Sequence, residues 1–142
     1  MKWPASALIV GTVATAIAPS PVMFRADARH GGIYDAAGVA ELHGVKWTFR
    51  TGGAVISTPA VADGTLYIGS WDSYFYALDA ASGRQRWRFK TGEDPNINNQ
   101  VGIQSSAVVA DGVVYFGCRD SHLYALDAAS GAKRWAFSTA DS

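Results

Sequence analysis

The sequence predicts an all-β protein made of repeated four-stranded antiparallel meanders, and three observations carry that expectation. The stretch Tyr76-Ala-Leu-Asp-Ala-Ala-Ser-Gly-Arg-Gln-Arg-Trp87 returns as Tyr124-Ala-Leu-Asp-Ala-Ala-Ser-Gly-Ala-Lys-Arg-Trp135, and a shift of 48 lays residues 57–91 over 105–139 with 21 identities in 35 positions. An internal repeat of this kind sets the architecture before any local reading. Turn signals then divide each unit: in the first copy Asp63-Gly64, Asp72-Ser73 and Ser82-Gly83 separate four short runs rich in β-branched and aromatic residues. Finally, the third run is apolar on both faces, with Phe75 and Ala77 on one side and Tyr76 and Leu78 on the other. A single sheet cannot cover both, so units must stack on one another.

The identities fall where a sheet needs particular chemistry. Asp63-Gly64 and Asp111-Gly112 suit the positive φ of a two-residue hairpin. Asp79 and Asp127 can accept backbone N–H groups of the following turn, and Gly83 and Gly131 can take the left-handed conformation there. Trp87 and Trp135 each offer a large apolar plate with one N–H that needs a partner when buried. These residues are read as structural. Stacked meanders with covered faces are the blades of a β-propeller.

The pattern Ala-Leu-Asp-x-x-x-Gly-x-x-x-Trp, preceded by Asp-Gly, an aliphatic-Tyr pair and Gly-Ser, resembles the tryptophan-motif repeat of the pyrroloquinoline-quinone (PQQ) type β-propellers. The resemblance covers residues 45–142. It implies a family that holds quinoprotein alcohol dehydrogenases, the propeller lipoprotein of the outer-membrane β-barrel assembly machinery, and many uncharacterised exported propellers. The shared motif therefore speaks to fold and not to activity.

Taken in order, the chain opens with Met1-Lys2 and an uncharged apolar stretch from Ala5 to Ala18. Residues 1–18 have the shape of a signal peptide, which implies an exported protein, periplasmic or extracellular. A helix of that stretch would rise only about 21 Å, short of a bilayer core, so no membrane span is expected. Ala14-Thr15-Ala16 is the expected cleavage triplet; an uncleaved N-terminal anchor is the other reading. No cysteine lies near residue 20, unlike the assembly-machinery lipoprotein. Residues 19–44, rich in Ala, Gly and Pro, read as an irregular arm, and the lone His30 in it as a surface or packing residue. Val45 to Thr51 matches the last strand of each repeat, with Trp47 aligned to Trp87 and Trp135, and is expected as a partial strand.

The chain then holds about two and a half blades against the four to eight of a closed propeller, so the sequence reads as part of a longer ring. Partners expected on this basis are other blades of the same propeller, a protein bound across a rim, or further copies meeting through open edges. Twelve basic and twelve acidic residues cancel without like-charge runs, which argues against nucleic acid as a partner.

Positions that differ between copies point to a binding rim. Trp71 and Tyr74 of the first blade (57–91) become Arg119 and His122 in the second (105–139), around the Asp-Ser turn. There Trp71 could stack on a ligand and Arg119 could hold an anion, or both could be solvated turn variants. The tryptophan spacing grows from 40 to 48 residues through an insertion within 93–103, an Asn-rich loop containing Asp94, Asn96, Asn98 and Asn99. Loops inserted on a repeat scaffold project from one rim. This one lacks the Gly and Glu of a calcium loop. Cys118, the one cysteine, aligns with Ser70 and reads as a small buried residue.

No catalytic triad, phosphate loop or paired-carboxylate motif is present. Two classes of function follow: a non-catalytic exported binding or scaffold module, with no cofactor of its own, or the N-terminal part of a quinoprotein oxidoreductase. The resemblance implies PQQ and calcium under the second class only.

Overall fold

The computed structural model describes residues 44–92 and 102–139. The expected signal peptide, the arm as far as residue 43, His30 and the loop residues Asp94, Asn96, Asn98 and Asn99 lie outside them. The described chain is all β. Strands β1 (Ala60–Ala62), β2 (Thr65–Gly69), β3 (Tyr74–Asp79) and β4 (Gln85–Lys90) form one antiparallel sheet in sequence order. Strands β5 (Val108–Ala110), β6 (Val113–Cys118), β7 (His122–Asp127) and β8 (Lys133–Ser138) form a second in the same order. The two meanders fall inside the repeat copies, and even the register slip in the β3–β4 pairing at Ala77/Leu78 recurs at Ala125/Leu126.

Each turn follows from its residues. Asp63 and Gly64 both have positive φ (47° and 68°), as do Asp111 and Gly112 (50° and 71°), which is the backbone of a tight hairpin matched to strand twist. In the β2–β3 connection Ser73 takes φ 67°, and Asp72 accepts the Tyr74 N–H at 3.0 Å. In the β3–β4 turn one oxygen of Asp79 accepts the Ala81 and Ser82 N–H groups and the Ser82 hydroxyl, at 3.1, 2.8 and 2.8 Å. Its other oxygen holds Arg86 at 2.7 Å. Asp127 repeats the arrangement with Ala129, Ser130 and Arg134.

The sheets converge at β1 and β5, and the core lies between them. Phe75 and Ala77 face the second sheet, where Val114, Phe116, Tyr124 and Leu126 meet them. Phe75 and Phe116 stack with centroids 4.1 Å apart. The opposite face of the first sheet, Ile68, Tyr76 and Leu78, is covered by Trp47 and Phe49. One element differs from expectation: residues 45–51 form no ladder among the described residues. A last strand needs the third strand of its own sheet, and no described strand takes that place. The segment is held instead by side chains, with Phe49 edge-on to Tyr76 at 5.3 Å.

The two repeated tryptophans thus share a sequence context and differ in surroundings. Trp87 is 9% exposed between the sheets, whereas Trp135 is 43% exposed on the far face of the second. Trp87→Ala is expected to cost about 3–5 kcal/mol, the usual range for a buried aromatic. Trp135→Ala should cost at most about 1 kcal/mol, near the surface range. Urea unfolding of the two variants checks the difference, and equal costs would contradict it.

Candidate functional site

Several of the repeated residues join one blade to the next, at two points. At the first, the Trp87 ring lies on the β7–β8 turn, and a Cβ on Gly131 would come within 2.6 Å of it. The indole N–H donates to the Ala128 carbonyl at 3.0 Å, and the Tyr67 hydroxyl donates to the same oxygen at 3.1 Å. Trp47 repeats the contact on Gly83, where a Cβ would come within 2.5 Å, and donates to the Ala80 carbonyl at 3.1 Å. Gly83 and Gly131 also have φ 72° and 73°, so glycine is required there for conformation and for space together.

The second point was not legible as a joint. The residue five positions after each tryptophan, Gly52 or Gly92, donates its N–H to Asp72 or Asp120 of the following blade, at 2.7 and 2.9 Å. The same carboxylates accept the hydroxyls of Tyr76 and Tyr124. The identity of Asp72-Ser73 with Asp120-Ser121 is the signal in the sequence, and by itself it marks a turn. Burial by itself would raise the Asp72 carboxyl. The Tyr76 hydroxyl, the Gly52 and Tyr74 amides and Ser70 outweigh it and hold the group below its ordinary value. Tyr76 and Tyr124 move the other way, to about 12, by burial first and then by the carboxylate each one faces. On the exposed β3–β4 and β7–β8 turns, Arg86 and Arg134 first, and then the serines, hold Asp79 and Asp127 well below the usual carboxylate range.

The residues that vary between copies sit at the Asp-Ser end of the blades. Trp71 is 38% exposed, and Arg119 and His122 are half-buried. Gly102 brings the first two near each other. A Cβ on it would approach the Trp71 Cα to 2.4 Å, and its carbonyl accepts the Arg119 N–H at 3.4 Å. The His122 Nδ1 lies 2.8 Å from the Asp120 carbonyl and so carries the proton toward it. Beside Arg119 a shallow cleft of about 350 Å³ runs over Gly117, Cys118, His122 and Leu123. Burial raises the Cys118 thiol above its ordinary value, against a reactive thiolate. The innermost strands β1 and β5 present only Ala and Val. Among the described residues no three His, Cys, Asp or Glu side chains come together.

Two outcomes test this geometry. Gly131→Ala should cost about 1–3 kcal/mol for forcing the Trp87 ring aside, added to the left-handed strain of about 1 kcal/mol. Gly112→Ala, with φ 71° and open space around it, should show the strain alone. Chemical denaturation of both variants separates the two contributions. In alkali, folded Tyr76 and Tyr124 keep their protons to about 12, whereas an unfolded tyrosine titrates near 10. Their contribution is complete below about pH 10 and is lost as pH rises toward 12. Tyr76→Phe with Tyr124→Phe should flatten stability against pH across that window, and an unchanged slope would contradict the pairing.

Comparison with known proteins agrees with the blades. The family model described as outer membrane protein assembly factor BamB matches residues 36–142. Among curated proteins none matches the sequence. A europium-containing methanol dehydrogenase superposes with TM-score 0.58 at 19% identity, over 67% of this chain and 19% of that one. BamB from Moraxella catarrhalis superposes with TM-score 0.56 at 21% identity, over 66% and 27%. A quinohemoprotein alcohol dehydrogenase from Pseudomonas putida gives 0.50 at 28%, over 56% and 12%. The chain thus spans about a quarter or less of these proteins' length, and the likeness is one of fold. With the family model matched over both blades, the chain belongs to the BamB-type family of PQQ-repeat β-propellers.

Proposed function

We propose that this chain is a binding or scaffold module of an exported β-propeller, acting without catalysis, and that it engages a protein partner across the rim carrying Trp71 and Arg119. The observation that carries the reading is a division of labour. Many of the side chains repeated between the copies are occupied within or between blades, as with Trp87 on Gly131 and Asp120 on Gly92. The rim residues Trp71, exposed, and Arg119, half-buried, differ between the copies and take no part in those contacts through their side chains. Both belong to the Asp-Ser end of the blades, where Gly102 meets the Trp71 backbone and accepts the Arg119 N–H, and an aromatic residue and an arginine suit a protein surface. The family's description as an outer membrane assembly factor supports a role in the cell envelope, as does the signal-like start of the chain.

The likeness to methanol and alcohol dehydrogenases keeps an oxidoreductase as the second reading, in which PQQ and calcium would belong to a larger ring. Titration with PQQ and calcium, followed by quenching of the five tryptophans, separates the two. The binding-module reading expects no saturable quenching at micromolar PQQ and no dye-linked alcohol oxidation. Either result in the positive would overturn it. The rim is tested by Trp71→Ala with Arg119→Ala, which should leave the unfolding midpoint nearly unchanged and weaken capture of envelope protein by at least about tenfold, or about 1.4 kcal/mol.

A further inference from the structure

A formal net charge of zero conceals a separation of charge by strand. Every lysine and arginine among the described residues except Arg119 lies in residues 45–51, 84–90 or 133–138, and no aspartate or glutamate does. The described carboxylates all sit in turns. Asp72 and Asp120 are taken by the Gly52 and Gly92 amides and by tyrosine hydroxyls, while Asp79 and Asp127 hold Arg86 and Arg134. Asp63 and Asp111 stand on the β1–β2 and β5–β6 hairpins, toward the opposite edge of each sheet in strand order. Arg84 and Arg88, both exposed, therefore face no carboxylate among the described residues.

The same strand carries an open ladder. Among the described strands β4 pairs with β3 alone, so its outer N–H and C=O groups meet no described strand. Its side chains divide between two faces. Trp87 and Phe89 turn to the second sheet, Trp87 on the Ala128 carbonyl and Phe89 edge-on to Tyr124 at 5.5 Å. Arg88, opposite Tyr76 in register, turns the other way, with its guanidinium 4.6 Å from the Tyr74 ring centre. That contact holds the head group in place and leaves its charge unneutralised.

An open edge is a template for one more strand, and its charge decides which strand that is. β8 carries Lys133 and Arg134 and likewise no carboxylate, so two such edges brought together would set like charges opposite one another, which is unfavourable. A segment of the opposite sign meets no such penalty. We propose that β4 takes up an extended acidic segment of a partner protein as a fifth strand, its carboxylates beside Arg84 and Arg88 and its intervening apolar side chains beside Phe89. Main-chain hydrogen bonds supply the hold and the alternate side chains supply the choice. This surface runs along the outer strand and is separate from the Trp71 and Arg119 rim.

The probe is a fluorescein-labelled peptide, Thr-Glu-Val-Glu-Val-Glu-Thr, titrated with the full chain and followed by anisotropy. It should bind saturably and more weakly as salt is added. Lysine in place of each glutamate should weaken binding at least about tenfold. So should methylation of alternate backbone nitrogens in one of the two alternations, because only one set of N–H groups faces β4. The paired variant Arg84→Glu with Arg88→Glu should lose at least about tenfold in affinity, with circular dichroism verifying its fold; if it does not fold, the peptide comparisons decide, since they leave the protein unaltered. Trp71→Ala with Arg119→Ala should bind the peptide as wild type does, so this surface and the rim stand or fall separately. Absence of saturable binding, equal binding of the lysine peptide, or a folded Arg84 and Arg88 variant that binds as wild type would overturn the proposal. Equal binding of both methylated peptides would reduce the contact to charge alone and overturn strand addition, and loss of binding in the rim variant would move the peptide to the rim.

Discussion

An indole lying flat on a glycine turn is the contact on which the arrangement of blades depends. The Trp87 ring meets Gly131 closely enough that one methyl group on the turn would collide with it, and its N–H is satisfied by the Ala128 carbonyl. Apolar burial makes the contact favourable, and the hydrogen bond removes the cost of hiding the indole N–H. The same turn is shaped from within by Asp127, whose carboxylate gathers two backbone N–H groups, a serine hydroxyl and Arg134. Local turn chemistry and long-range docking are thereby one device. That explains why Asp, Gly and Trp recur at constant spacing while the positions around them drift.

A single such contact would leave two sheets free to pivot, and the second joint, at the opposite end of β4, limits that freedom. Gly92 bonds to Asp120 there, and Tyr124 shares the carboxylate. Between the two lie the stacked rings of Phe75 and Phe116 and the seated Ile103. The interface is apolar in the middle and hydrogen-bonded at both ends, with every buried side-chain polar atom among the described residues satisfied. Trp47 with Gly52 makes the same two contacts on the outer face of the first blade, so a short segment without strand pairing occupies the place of a whole sheet.

This design separates the docking positions from the ones that vary between copies. Because docking consumes the repeated residues, the Asp-Ser rim can change from Trp71 to Arg119 without disturbing the joint: Asp72 and Asp120, which do the joining, stay in place beside them. The same blade pattern occurs in an assembly factor and in dehydrogenases, as expected where a fold does not fix function.

Strand number, turn positions and the glycine, aspartate and tryptophan assignments were determined by the sequence itself, because hairpin backbones demand Asp-Gly or an αL glycine at set offsets and the repeat states them twice. Asp79 and Gly83 behave as their residue types require in any four-stranded meander. What the tertiary structure alone decided is which of the equivalent residues have partners. Trp87 and Trp135 are indistinguishable in sequence, and one is buried while the other faces outward, because burial belongs to the neighbouring sheet and not to the residue. The latch from Gly92 to Asp120 was hidden for the same reason: an aspartate at a turn has four lone-pair sites, and local spacing reveals only the acceptors its own turn uses. The packing of Ile103 on Gly69 likewise belongs to the tertiary structure, because the two residues are 34 positions apart in sequence and in contact in space.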